Sequence, residues 1–146
     1  MTVSLRGILA AVTTPFTADG SAIDEPVVKS QVDRLLAAGI HGLVPTGTTG
    51  EFMTLTPAEY RRVIELYVQA AAGRVPVVAG VGALSTKDAV ELARDFEQLG
   101  ADAIMIVPPF YDPLDLPTLK AFLTAVSDAV TVPIVYYTSR APPASG

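Results

Sequence analysis

Five short apolar runs constrain this chain more than any other feature. Each is closed by a glycine, a proline or a cluster of hydroxyls. The runs are Ile8 to Val12, Gly42 to Val44, Val75 to Ala79, Ala103 to Val107 and Pro133 to Tyr137. They are apolar on successive residues rather than on alternate ones, the pattern of strands covered on both faces. Such strands pair in parallel and need a helical crossover between each pair.

The segments between the runs have helical signals. Asp24 can cap a helix with Pro26 in its first turn, and Val28, Val32, Leu35 and Leu36 then form one apolar face that ends at Gly39. Thr56-Pro57-Ala58-Glu59 opens a second helix, Pro57 to Ala72, with Val63, Tyr67 and Ala70 on one side and Gly73 as its stop. Ser85 and Asp88 open a third, with Leu92, Phe96 and Leu99 inward and Gly100 beyond it. Leu116 to Ala129 is the fourth. Val75-Pro76-Val77-Val78 and Val132-Pro133-Ile134-Val135 form a weak internal repeat, and Gly39 and Gly100 are matching helix stops. A period of about two strand–helix units fits a barrel of repeated βα modules. An open doubly wound sheet fits less well, because no G-x-G-x-x-G follows the first run. The expectation is one partial βα-barrel domain over residues 1–146.

Composition narrows the function. The chain has 146 residues, 50% of them hydrophobic, and a mean hydropathy of +0.43, enough for a real core. Only 17% are charged, so either a partner covers much surface or the chain is part of a larger fold. A net charge of −5 and a pI near 4.7, with no clustering of Lys and Arg, argue against a nucleic-acid partner. The absence of cysteine removes thiol chemistry and cysteine–zinc sites and fits a reducing, cytoplasmic setting. No signal-peptide pattern and no membrane-length apolar run is present. The single histidine, His41, lies where a helix-to-strand turn is expected, a structural or solvent-facing position. Nothing in the pattern asks for a metal or a cofactor.

The informative polar residues all follow strands: Thr13-Thr14, Thr46 to Glu51, Gly80-Val81-Gly82, Phe110-Tyr111 and Tyr136-Tyr137. In a βα-barrel these strand ends share one mouth, the active face. The richest of them is Gly47-Thr48-Thr49-Gly50-Glu51. Its hydroxyls and inward N–H groups suit a small anion, and its glycines let a ligand approach the main chain.

These motifs carry a resemblance over Gly7 to about Tyr136. Thr13-Thr14-Pro15-Phe16, Gly47-Thr48-Thr49-Gly50-Glu51, Val78-Ala79-Gly80-Val81-Gly82, Pro108-Pro109-Phe110-Tyr111 and Ile134-Val135-Tyr136 resemble the N-terminal half of the dihydrodipicolinate synthase/N-acetylneuraminate lyase family. That resemblance implies a (β/α)8 barrel, here about its first five strands and four helices, running class I aldolase chemistry. It implies a pyruvate-type 2-oxo acid held as a Schiff base on a lysine, with Thr48 and Thr49, beside Gly47, binding its carboxylate. Tyr136 would shuttle the proton. A phenol is a poor base alone, so a relay through Thr48 to a Tyr111 given by a neighbouring subunit is implied. The partners are therefore a small oxo acid and further copies of the chain, as a dimer or tetramer, with no nucleic acid and no membrane.

Two departures from the family pattern stand out. After the strand tyrosine the family usually continues with Asn or Tyr-Asn, then an apolar residue and Pro, whereas here Tyr136-Tyr137 runs into Thr138-Ser139-Arg140-Ala141-Pro142-Pro143. Arg140 is out of register with the substrate arginine of the synthase branch and does not take its role. The Schiff-base lysine belongs on a strand beyond Gly146. Lys29, Lys87 and Lys120 all fall in predicted helices, facing away from a barrel mouth. The chain alone should then be inactive. The alternative is a non-catalytic half-barrel that binds a small oxo acid or pairs with a partner chain. An unrelated phosphate-binding barrel is disfavoured, since such sites lie on later strands.

Overall fold

The computed structural model describes residues 3 to 138. Arg140 and most of the divergent segment from Thr138 to Pro143 lie outside them. Strands and helices alternate strictly: β1 Leu9–Ala11, α1 Glu25–Ala37, β2 Gly42–Val44, α2 Pro57–Ala71, β3 Val78–Gly82, α3 Thr86–Gln98, β4 Ala103–Val107, α4 Leu116–Ser127 and β5 Ile134–Tyr136. Neighbouring strands are parallel, with Ala10 opposite Leu43, Ala79 opposite Ile104 and Met105 opposite Val135. β2 joins β3 through a parallel bridge between Leu43 and Val77, so the spatial order follows the chain. This is the first part of a (β/α)8 barrel, built of its first five strands and four helices.

The helix starts follow from their caps. Asp24, Thr56, Ser85 and Asp115 each accept an N–H from the first turn of α1, α2, α3 and α4. At Thr56 the capping box is complete, because Glu59 reaches back to the Thr56 N–H over 2.8 Å. His41 is structural: its Nδ1 accepts the Ile8 N–H at 3.1 Å.

The strands bury two faces. On the helix side, Val28, Val32, Val63 and Tyr67 cover Leu43 and Val77, while Ile64, Phe96, Phe122 and Val126 cover Ala79, Val81, Ile104 and Ile106. On the other side Leu5, Leu9, Val44, Val78, Ala103 and Met105 pack together with no helix among them. That second cluster is the inner face of the barrel wall. Fully buried side chains such as Ile64 and Ile104 each contribute about 1.5–3 kcal/mol. Among the described residues no helix is long and apolar enough to cross a membrane.

Candidate active site

The turn after β2 leaves the sheet at Thr46, whose φ of 55° is left-handed and costly for a β-branched residue. Thr48–Gly50 then forms a 3-10 turn, Glu51 takes φ 57°, and Phe52–Thr54 forms a second one. The opening N–H groups of a 3-10 turn have no partner inside it, so those of the Gly47 to Thr49 stretch are free to point at a ligand. Gly47 and Gly50 are buried, whereas Thr48 and Thr49 are exposed.

Three neighbours fix this turn. From β1, Thr14 Oγ1 donates to the Gly50 carbonyl at 2.7 Å. A Cβ on Gly50 would lie 3.2 Å from the Val12 carbonyl. From β3, Gly80 N–H donates to the Pro45 carbonyl at 3.0 Å, and a Cβ on Gly80 would meet the Thr46 carbonyl at 2.5 Å. From β4, the Met105 methyl comes within 3.2 Å of where a Gly47 Cβ would stand. The turn is therefore folded over the inner face at the C-terminal ends of the strands, the end at which barrel enzymes hold their substrates.

The other strand-end groups do not all gather there. Thr13 is held by the helix layer: Gln31 Nε2 donates to its hydroxyl at 3.0 Å, and Tyr67 donates to its carbonyl at 2.8 Å. Only Thr14 of that pair reaches the turn. Tyr111 follows β4 on an outward loop and is 85% exposed. Its neighbour Phe110 stacks edge-on against Phe52, with ring centroids 6.0 Å apart. Tyr136 is the register partner of Ile106, and Ile134 that of Ile104. Both isoleucines of β4 lie on the helix side, and Ile134 packs with them. Alternation then sets Val135 and Tyr137 on the side of Met105. Tyr137 is still in the ladder, donating its N–H to the Ile106 carbonyl at 3.0 Å.

The lysines are remote. Lys29 on α1 pairs with Asp33 at 2.9 Å, Lys87 on α3 lies 3.8 Å from Glu91, and Lys120 is exposed on α4. Sequence reasoning missed Tyr60, a helix residue whose hydroxyl reaches the strand end, donating to the Gly80 carbonyl at 2.9 Å. Burial pushes that phenol up to about 12, so it stays a hydrogen-bond donor at any ordinary pH.

A family model described as the dihydrodipicolinate synthetase family matches residues 4–142. The chain belongs to that family. It is 48% identical over 132 residues to the 4-hydroxy-tetrahydrodipicolinate synthase of Phenylobacterium zucineum, covering 90% of this chain and 44% of that one. It is 45% identical over 137 residues to the enzyme of the same name from Methanopyrus kandleri, covering 94% and 46%. The chain thus spans about half the length of these curated relatives. Among solved structures, the chloride-inhibited dihydrodipicolinate synthase of Acinetobacter baumannii complexed with pyruvate superposes with a TM-score of 0.89 at 34% identity, covering 93% of this chain and 46% of that one. The 4-hydroxy-tetrahydrodipicolinate synthase of Methylacidiphilum fumariolicum gives 0.89 at 29% identity, covering 93% and 45%.

Proposed function

We propose that this chain carries the oxo-acid-binding half of a pyruvate-dependent, Schiff-base-forming aldolase or lyase that acts in the cytoplasm. The observation that carries the reading is the Gly47–Gly50 turn, clamped from β1, β3 and β4 with its threonines exposed. A structure complexed with pyruvate that shares this architecture supports it. Thr48 and Thr49 hold the carboxylate through hydroxyls and main-chain N–H groups, and Gly47 allows the close approach. The chemistry is condensation of a lysine amine with the 2-oxo carbon, loss of water, and removal of a methyl proton to give the nucleophilic enamine.

Strand phase supports a different residue for one role. The proton shuttle falls to Tyr137, on the side of Val135 and Met105, in place of Tyr136, whose neighbours are the helix-side Ile104 and Ile106. Tyr111 serves a neighbouring subunit, a role consistent with its outward position beside the exposed Phe110. The protein then acts as a homo-oligomer, and a clean monomer in sedimentation would remove that part of the relay.

One observation favours the second reading, a half-barrel that binds without turning over: none of Lys29, Lys87 and Lys120 is near the turn. Both readings share the carboxylate site, and titration of the 15N-labelled chain with pyruvate tests it. Amide shifts confined to Gly47–Gly50 and its clamps are expected. Equal shifts with a neutral ketone, or none there with pyruvate, would refute the site.

A further inference from the structure

A parallel ladder has a fixed rhythm, and at this turn it breaks at one residue. Leu43 N–H donates to the Pro76 carbonyl at 2.9 Å, and Gly80 N–H donates to the Pro45 carbonyl at 3.0 Å. The next rung would be Gly47 N–H to the Gly80 carbonyl, followed by Gly82 N–H to the Gly47 carbonyl. The chain turns away at Thr46 before either can form, and two polar groups of β3 lose their partners at a buried edge. An unmet buried carbonyl or N–H is costly.

Both are met by one side chain. Tyr60 of α2 donates its hydroxyl to the Gly80 carbonyl at 2.9 Å and accepts the Gly82 N–H at 3.2 Å. Thr46 Oγ1 has one proton to share between the Pro45 carbonyl at 2.7 Å and the Gly80 carbonyl at 3.0 Å, and so gives the latter a partial second donor. Its ring holds the phenol at that height, edge-on to Phe96 at 5.1 Å and tilted against Phe52 at 6.2 Å.

We propose that Tyr60 is a positioning residue whose hydroxyl takes the place of the Gly47 peptide in the ladder, with Thr46 as its helper, and so keeps the Gly47 to Thr49 turn free for a substrate carboxylate. The inference rests on the pyruvate reading for its ligand but not for its geometry. Without the phenol, the Gly82 N–H loses its partner and the Gly80 carbonyl keeps only its share of the Thr46 proton, and the remedy for both is to draw the Gly47 peptide back into the sheet. That would withdraw an N–H from the anion and move Thr48 and Thr49 with it.

The test is Tyr60→Phe in the 15N-labelled 146-residue chain, with Thr46→Ser and Thr46→Val as a second pair. Without ligand, Tyr60→Phe should shift the Gly47 to Glu51 amides and slow hydrogen exchange at Gly47. With pyruvate, affinity should fall about tenfold, the worth of one hydrogen bond in a clamped site. Thr46→Ser should keep the parent pattern, and Thr46→Val should move toward that of Tyr60→Phe. If Tyr60→Phe does not fold, the Thr46 pair decides. Lowered thermal stability with unmoved turn amides and unchanged pyruvate affinity would overturn the proposal. If the parent chain itself ignores pyruvate, the site reading fails, and the ligand-free shifts and exchange still judge Tyr60.

Discussion

Thr14 donates its hydroxyl to the carbonyl of Gly50 at 2.7 Å, tying the end of the first strand to the turn that follows the second. Both residues are buried, so the bond is made away from water. Its loss leaves the buried Gly50 carbonyl without the Thr14 hydroxyl. Thr14→Val should cost about 1–3 kcal/mol in chemical denaturation, and Thr14→Ser should restore most of it. Pyruvate affinity should fall in the valine variant only. Equal affinity in both variants would show that the clamp does not shape the site.

Gly80 has no room for a side chain. A Cβ there would lie 2.5 Å from the Thr46 carbonyl and 2.8 Å from the Gly47 nitrogen, both backbone atoms that cannot swing aside. Gly80→Ala should therefore destabilise by about 3 kcal/mol, the upper end of ordinary overpacking. At Gly20, where nothing lies within 4 Å but φ is +70°, alanine costs only backbone strain. Denaturation midpoints of the two variants would separate overpacking from strain, and Gly20→Ala proving the worse would contradict this packing.

The same contacts explain which parts of the fold could be read from sequence. Gly42 to Val44 and Ala103 to Val107 were legible to the residue, because glycine or proline bounds them and their interiors are apolar. The apolar run Val75 to Ala79 predicts the third strand too early, since β3 is Val78–Gly82. Gly80 and Gly82 look like strand breakers, yet they are strand residues made glycine by the crossing of Thr46 and by the ring of Phe52. The strand phase was not legible at all. Runs apolar on both faces contain no alternation, so nothing in Val135-Tyr136-Tyr137 says which tyrosine faces inward. Thr13 and Thr14 had the same ambiguity. Tyr60 carried no signal, since a tyrosine on a buried helical stripe looks like core.

The choice between the strand-end tyrosines can be measured by fusing this segment to the C-terminal half of the Phenylobacterium zucineum relative. If that fusion turns over, Tyr137→Phe should lower kcat by 10²–10⁴, the usual worth of a positioned acid or base. Tyr136→Phe should change kcat by less than about fivefold, since Tyr136 is on the side of Ile106. The reverse order would return the role to Tyr136.

Acid should loosen the end of α3. The Glu97 carboxylate accepts the Thr131 hydroxyl at 2.6 Å, the Thr131 N–H at 2.8 Å and the Val132 N–H at 3.2 Å, holding the segment that leads into β5. These bonds, the Thr131 hydroxyl foremost, keep its carboxyl below the usual 4.5. A lowered folded-state value means stability that is present above the unfolded value and lost as pH falls through the folded one. Below about pH 4.5, then, unfolding should ease progressively in the parent and less steeply in Glu97→Gln. Parallel pH profiles for the two proteins would remove Glu97 as the cause.

Borohydride reduction in the presence of pyruvate should leave the 146-residue chain without a covalent adduct at its active turn. Schiff-base formation needs an amine within bonding distance of the 2-oxo carbon while Thr48 and Thr49 hold the carboxylate, and so an amine on the inner face. Lys29 and Lys87 instead stand on α1 and α3, with side chains 75% and 81% exposed and acidic neighbours one turn away. Lys120 is on the outer side of α4, beside Leu116 and Leu123. Helices lie outside the strand wall, so each amine would have to cross it to reach the turn. Mass spectrometry of the reduced protein, mapped by peptide, decides the matter. Pyruvate on Lys29, Lys87 or Lys120 in stoichiometric yield would mean that a helix lysine does reach the carboxylate turn. Trapping on a lysine of the fused second half, lost again in Thr48→Val, would tie the carboxylate turn of this chain to the Schiff base directly.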